Sequence, residues 1–195
     1  MQYRPGRIAV SAALCACLLA GCQAPAVTPS PNPTFKCTPE AGGAEFQCSQ
    51  QQYDDMVAKD KLYAEAEAVY RRFLAEDVRI AEEGGASAPT PVLKETAAGA
   101  FLEDVMREYS RNLRDGITAR GGDRVVRSVR RLVGVSKGGS VVALQICVDS
   151  TSFQIYQAGH RIGQGLMNKD DLYFGSVESS LKIIGADGRE VDSCS

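Results

Sequence analysis

Several residue types that support particular activities are scarce in this chain. Its 195 residues include one histidine and no tryptophan, which leaves little support for histidine-based catalysis or a histidine-rich metal site. The formal net charge of −2 disfavours a nucleic-acid-binding protein, because such domains usually carry a large excess of basic residues. Motifs of the GxGxxG and Walker A types are missing, so no nucleotide-binding loop is indicated.

The N-terminal residues have the layout of a secretory signal peptide. Arg4 and Arg7 precede an apolar run over residues 8–20, which is shorter than the roughly 20 residues that cross a bilayer. The sequence LAGC, ending at Cys22, resembles a bacterial lipobox. This resemblance implies removal of residues 1–21, a diacylglyceryl group on the Cys22 sulfur and a fatty acid such as palmitate on the new amino terminus. The alternative is an ordinary signal peptide in which a cysteine happens to follow a small residue.

The cysteine count agrees with export. After processing and lipidation, four cysteines remain, and an even number in an exported chain indicates two disulfides. They are Cys37, Cys48, Cys147 and Cys194. Three pairings are possible; we favour Cys37–Cys48, which are close in sequence, and Cys147–Cys194, which both fall in the predicted sheet. Zinc is the alternative, but the spacings contain no CxxC pair and the single histidine is not an obvious fourth ligand.

A proline-rich stretch separates the lipobox from the folded domain. Residues 23–36 hold four prolines among small polar residues, which predicts an extended spacer. We therefore assign residues 22–48 to a lipid-anchored tether and disulfide loop, and residues 49–195 to an α+β domain.

Helices are expected in the first half of this domain. Ser49 begins a capping-box pattern before a long amphipathic stretch that Gly84-Gly85 ends. Thr90-Pro91 predicts an N-cap and first-turn proline, and Gly116 predicts a helix end.

Strands joined by glycine turns are expected after Gly116. Alternating patterns predict strands over residues 124–135 and 140–149, a third strand beginning at Phe153 and a fourth over residues 172–184. In the fourth strand, Tyr173 is expected to face inward, and Asp187-Gly188 is expected to turn into a last short strand. Helices followed by antiparallel strands predict an α+β fold with the helices packed on one face of a curved sheet.

The most specific local pattern is the segment Cys147-Val148-Asp149-Ser150, followed by aromatic residues at Phe153 and Tyr156 and a closing Cys194. With the lipobox and tether, it resembles secreted actinobacterial lipoproteins that have a nuclear-transport-factor-2-like, or cystatin-like, domain. The resemblance implies a cone-shaped fold and an extracytoplasmic location. It implies no activity.

Two groups of side chains are candidates for chemistry or binding. Asp149 and His160 are the one conceivable acid–base pair, although an Asx turn and a hairpin loop explain them better. Eight arginines form a basic cluster that could meet anionic headgroups or cell-wall polymers; a solvated surface is the simpler explanation. These are Arg107, Arg111, Arg114, Arg120, Arg124, Arg127, Arg130 and Arg131.

The sequence therefore predicts a lipoprotein attached to the cell membrane at its extracytoplasmic face, with a non-enzymatic binding or scaffolding role. Its expected partners are the membrane, through the lipid anchor, and an envelope protein or an anionic cell-wall polymer; no cofactor, metal or nucleic acid is expected. One alternative is a carrier of a small apolar ligand in the cone, and another is an isomerase- or hydratase-like enzyme. An interaction protein needs an exposed apolar patch, whereas a carrier needs an enclosed cavity.

Overall fold

The computed structural model describes residues 34–195, so the predicted signal peptide, Cys22 and most of the predicted tether lie outside the described residues. The elements, in chain order, are β1 (Phe35–Cys37), β2 (Phe46–Cys48), α1 (Gln50–Glu83), α2 (Pro91–Thr96), α3 (Gly99–Asp115), β3 (Ile117–Arg120), β4 (Val125–Arg131), β5 (Val142–Asp149), β6 (Gln154–Gln157), β7 (His160–Gln164), β8 (Met167–Val177) and β9 (Ser180–Glu190). Across this part of the chain, none of the helices has both the length and the apolar composition to cross a bilayer.

The long helix α1 begins and ends where its capping residues predict. The Ser49 hydroxyl accepts a hydrogen bond from the Gln52 backbone N–H, and the Gln52 side chain accepts one from the Ser49 backbone N–H. Gly84 ends the helix in the left-handed conformation, with φ 87°. The inward face of the helix buries an aromatic and aliphatic stripe, and this face forms the helical side of the core.

The next helical stretch is divided into two helices. The Thr90 hydroxyl caps α2 and Pro91 occupies its first position, as predicted. Ala97 is extended rather than helical, and the N–H of Ala98 donates to the carbonyl of Ile183 on β9. This pairing with the sheet interrupts the helix before α3, which ends at Gly116 as expected.

The strands are antiparallel and form two sheets and a separate hairpin. One sheet has the order β4-β5-β8-β9, the other has the order β3-β6-β7, and β1 pairs with β2. The mixed α+β class is therefore confirmed, while the strands after Gly116 divide between two sheets instead of forming one. Val142, Leu144, Ile146 and Val148 face the helices and are buried in the core, as the alternation on β5 predicts.

The prediction of one strand over residues 172–184 is wrong. Two strands, β8 and β9, run antiparallel and are joined at Glu178 and Ser179, whose φ angles are 51° and 65°. This turn has no glycine or proline, so the local sequence carries no strong signal for it. Asp187-Gly188 was expected to be a turn, but both residues lie inside β9.

A β-bulge on β9 changes which residues face the helices. Phe174 pairs with Ile183, whereas Tyr173 pairs with Gly185, so Ile184 is the extra residue. Leu181 and Ile183 face the core before the bulge, and Ala186 and Gly188 lie on the same side of the sheet after it, where both are exposed. Tyr173 lies on the opposite face, where its hydroxyl donates to Asp187 at 3.0 Å; the inward placement predicted for Tyr173 is therefore wrong.

Both favoured disulfides are formed. Cys37–Cys48 joins β1 to β2, with a Cα–Cα distance of 5.9 Å, and Cys147–Cys194 joins β5 to the C-terminal segment, with a Cα–Cα distance of 5.6 Å. Cys147 is fully buried on the sheet face that points away from the helices. Residues 33–195 form a compact unit containing both bridges and the core, and we therefore expect this segment to fold on its own.

Candidate functional site

A cavity of about 460 Å³, open to solvent on one side, lies between α1, α3 and the helix-facing side of strands β5, β8 and β9. This volume falls within the range of about 300–1,000 Å³ that is typical of small-molecule sites. The cavity bears on the functional alternatives, because a domain whose interior is filled by its own side chains would leave no room for a ligand.

The cavity exists because small residues occupy the inward face of β9 after the bulge. Ala186 pairs with Leu172, and Gly188 pairs with Asp170. A Cβ atom on Gly188 would lie 2.5 Å from the Asp170 Oδ1 atom, closer than side chains pack. Glycine at this position therefore lets the Asp170 carboxylate occupy the wall of the cavity.

Aromatic and aliphatic side chains from both long helices form the apolar part of the wall. Phe73 and Leu74 come from α1, and Phe101 and Val105 come from α3. The rings of Phe73 and Phe101 contact each other with centroids 5.3 Å apart. These groups provide a surface for the apolar part of a ligand.

An ion pair between Asp77 and Arg124 lies at the polar part of the wall. The Tyr109 hydroxyl also donates to Asp77, at 2.6 Å. The side chains of Arg124 and Asp77 are 31% and 13% exposed, and the Arg124 guanidinium lies 5.8 Å from the centroid of the Phe153 ring. Burial lowers the pKa of Arg124, and its Nε atom is buried without a hydrogen-bond partner among the described residues.

Asp170 is a second acid in the same wall and is partly buried. Burial raises its pKa above the ordinary carboxyl value of 3.8, and the positive charge of Arg124 opposes this effect. Burial also raises the pKa of Tyr70, with a smaller contribution from the negative charge of Asp170. Because Asn168, Asp170 and Leu172 alternate along one face of β8, the wall changes from polar to apolar along the strand.

The predicted acid–base candidates lie elsewhere and on different sheets. Asp149 Oδ1 accepts hydrogen bonds from the Thr151 backbone N–H at 3.0 Å and from the Thr151 hydroxyl at 2.7 Å, which is the expected Asx turn. These bonds, together with the Arg127 guanidinium, lower the pKa of Asp149 to about 2. His160 is exposed at the start of β7 and pairs with Gln157.

The eight predicted arginines are distributed over α3, β3, the loop before β4 and β4 itself. Five of them form ion pairs with carboxylates: Arg107 with Asp104, Arg114 with Asp115, Arg124 with Asp77, Arg127 with Asp149 and Arg131 with Asp60. The α3 residues at positions 107, 111 and 114 follow helical spacing and share one face. Arg130 and Arg131 are neighbours on a strand and point to opposite faces. Binding of an anionic partner by these arginines remains a prediction.

Asp77 and Asp170 are candidate functional-site residues that the sequence patterns did not predict. Asp77 follows Tyr70 by seven residues on the inward face of α1, and Asp170 precedes buried Leu172 by two residues on β8. An acidic residue at a position where the hydrophobic pattern predicts burial indicates a candidate site, because a carboxylate seldom occupies such a position without a partner or a function.

Within residues 34–195, no group of three or more His, Cys, Asp or Glu side chains has an arrangement that could hold a metal ion.

Comparisons with known proteins assign no family to the chain. No protein-family model and no curated protein matches it. Among solved structures, it is similar to the intermembrane-space region of the chloroplast protein ARC6, with a TM-score of 0.47 and 13% identity over 66% of this chain and 95% of the other. It is also similar to a de novo designed β-sheet protein, with a TM-score of 0.33 and 11% identity over 64% of this chain and 88% of the other. At these low scores and identities, neither likeness bears on function.

Proposed function

We propose that this chain is a lipid-anchored extracytoplasmic binding protein, and that its α+β domain holds a small amphipathic molecule in the cavity between α1, α3 and the sheet. The observation that carries the proposal is the cavity of about 460 Å³, whose wall combines aromatic side chains with ionisable groups. A binding site of this kind needs an apolar surface for affinity and a few polar groups for orientation. The proposed role is binding without catalysis.

The proposed location follows from the N-terminus and the cysteines. The lipobox-like sequence at Cys22 would attach the chain to a membrane, and the proline-rich tether would hold the domain away from lipid headgroups. Two disulfides support an oxidising compartment outside the cytoplasm. A nuclear-transport-factor-2-like cone is the finer fold that we propose, and helices packed over an antiparallel sheet support it.

Binding in the cavity can be tested with N-phenyl-1-naphthylamine, a neutral fluorophore whose emission rises in apolar surroundings. The segment from residue 33 to 195 should bind it with one-to-one saturation. The variant Ala186→Trp places a large side chain on a cavity-lining position and should weaken binding by about tenfold or more. Ala58→Trp makes the same change at an exposed position of α1 and should leave the affinity unchanged. Equal binding by all three proteins would place the fluorophore elsewhere and refute the cavity function.

The anchor can be tested by metabolic labelling of cells with a fatty acid. The wild-type protein should take up label and fractionate with membranes, and Cys22→Ala should lose both properties. Cys17→Ala removes a neighbouring cysteine of the signal peptide and should behave like the wild type. Label retained by Cys22→Ala would rule out lipidation at this residue.

A further inference from the structure

The charges in the cavity wall do not balance. The wall contains three carboxyl groups, those of Asp77, Glu108 and Asp170, and one guanidinium group, that of Arg124. With all four ionised, the wall has a net charge of −2, from three negative charges and one positive charge. A positively charged ligand would therefore be favoured over a neutral or anionic one of the same size.

The single guanidinium is already engaged by one of these acids. Arg124 forms its ion pair with Asp77, which also accepts the Tyr109 hydroxyl. Among the hydrogen bonds and ion pairs of the described part of the chain, the Asp170 side chain has none, and the Arg124 charge acts on it without direct contact. Asp170 is thus a partly buried acid of the cavity wall whose carboxylate is available to a ligand.

The position of Asp170 also suits contact with a ligand. It lies on the inward face of β8 between Asn168 and Leu172, where the polar part of the wall meets the apolar part. Gly188 provides the space for its carboxylate. A ligand lying along β8 would place a polar end near Asp170 and an apolar end toward the helices.

The apolar part of the wall is compatible with a cation at this point. Phe73 and Phe101 line this part of the wall from two different helices, with their rings in contact, and aromatic rings attract alkylammonium groups as well as apolar chains. Building on the proposed binding function, we propose that the occupant of the cavity is an amphipathic organic cation, whose ammonium group pairs with Asp170 and whose apolar part lies against Phe73 and Phe101.

Three probes with one alkyl chain and different head groups test this proposal. Octylammonium, octanol and octanoate carry a positive, a neutral and a negative head, and calorimetric titration of the segment from residue 33 to 195 gives their affinities. The wild type should bind octylammonium about tenfold more tightly than octanol, and octanoate most weakly. This comparison uses no variant, so it does not depend on how any substitution affects folding.

Two variants then assign the effect to one carboxylate. Asp170→Asn keeps the shape of the side chain and should weaken octylammonium binding by about tenfold while leaving octanol binding unchanged. Asp192→Asn removes the same charge from an exposed C-terminal position and should leave all three affinities unchanged. Octylammonium binding that survives Asp170→Asn, or octanoate binding as tight as that of octylammonium, would overturn the cation proposal while cavity binding stood. Failure of all three probes to bind the wild type would instead count against the cavity function itself.

Discussion

Replacing Arg124 by methionine removes the only guanidinium in the cavity wall and leaves the Asp77 carboxylate with Tyr109 as its remaining partner. Breaking a fully buried ion pair in this way costs about 3–5 kcal/mol. Here the two side chains are 31% and 13% exposed, so solvent screens part of the uncompensated charge. We therefore expect Arg124→Met to lower the free energy of unfolding by about 2 kcal/mol, and Asp77→Asn by a similar amount.

The double variant tests whether these two losses have the same origin. If the ion pair accounts for both, Asp77→Asn with Arg124→Met should cost about 2 kcal/mol in total rather than about 4, because neither charge is then left unpaired. Urea unfolding can be monitored by far-UV circular dichroism, since the 34-residue α1 dominates that signal. Tryptophan fluorescence is not an option, because the chain has no tryptophan. Arg130→Met, at an exposed position of β4, is the control and should change the stability by less than about 0.5 kcal/mol. Fully additive losses in the double variant would refute the coupling.

Three further predictions concern the fold around the site. Replacing Cys147 and Cys194 together by alanine opens a bridge between residues 47 positions apart and should lower the free energy of unfolding by about 4 kcal/mol on a chain-entropy estimate; a loss below about 1 kcal/mol in urea unfolding would contradict this. Burial raises the pKa of Asp170 in the folded state, so the wild type should lose stability relative to Asp170→Asn as the pH rises above about 4. The two proteins should be equally stable near pH 3, and a stability difference that does not change with pH would argue against a buried acid. Gly85→Ala places a Cβ against the backbone of α3 at φ +102° and should lower the melting temperature clearly more than Gly138→Ala, which has φ +62° and open space around it; equal effects would contradict the close approach.

The helix boundaries could be predicted because their signals are local. Ser49 and Thr90 act as N-caps through hydrogen bonds to residues three positions away, and Gly84 and Gly116 end helices through their own φ angles. The disulfides could be predicted for a related reason: the four cysteines after Cys22 allow three pairings, and their spacing and the strand pattern favour one of them.

The strand boundaries near the C-terminus could not be predicted as well. The turn at Glu178-Ser179 uses positive φ angles without glycine, whereas Gly188, a typical turn residue, continues β9 beside Asp170. Turn propensities describe only which backbone conformations a residue type adopts locally. The choice between a turn and a strand at these positions depends on pairing with β8, which is a contact between separate segments.

The amino-acid sequence by itself determined the capped helices and the alternating strand β5, because each depends on spacing along the chain, and it favoured one of three possible cysteine pairings. Only the tertiary structure decided that a bulge at Ile184 turns Ala186 and Gly188 toward the helices, and that Asp77, Arg124 and Asp170 line the same cavity. The physical reason is that a cavity is the volume left between elements that are distant in sequence. Its shape and charge depend on the register of the sheet and the packing of the helices.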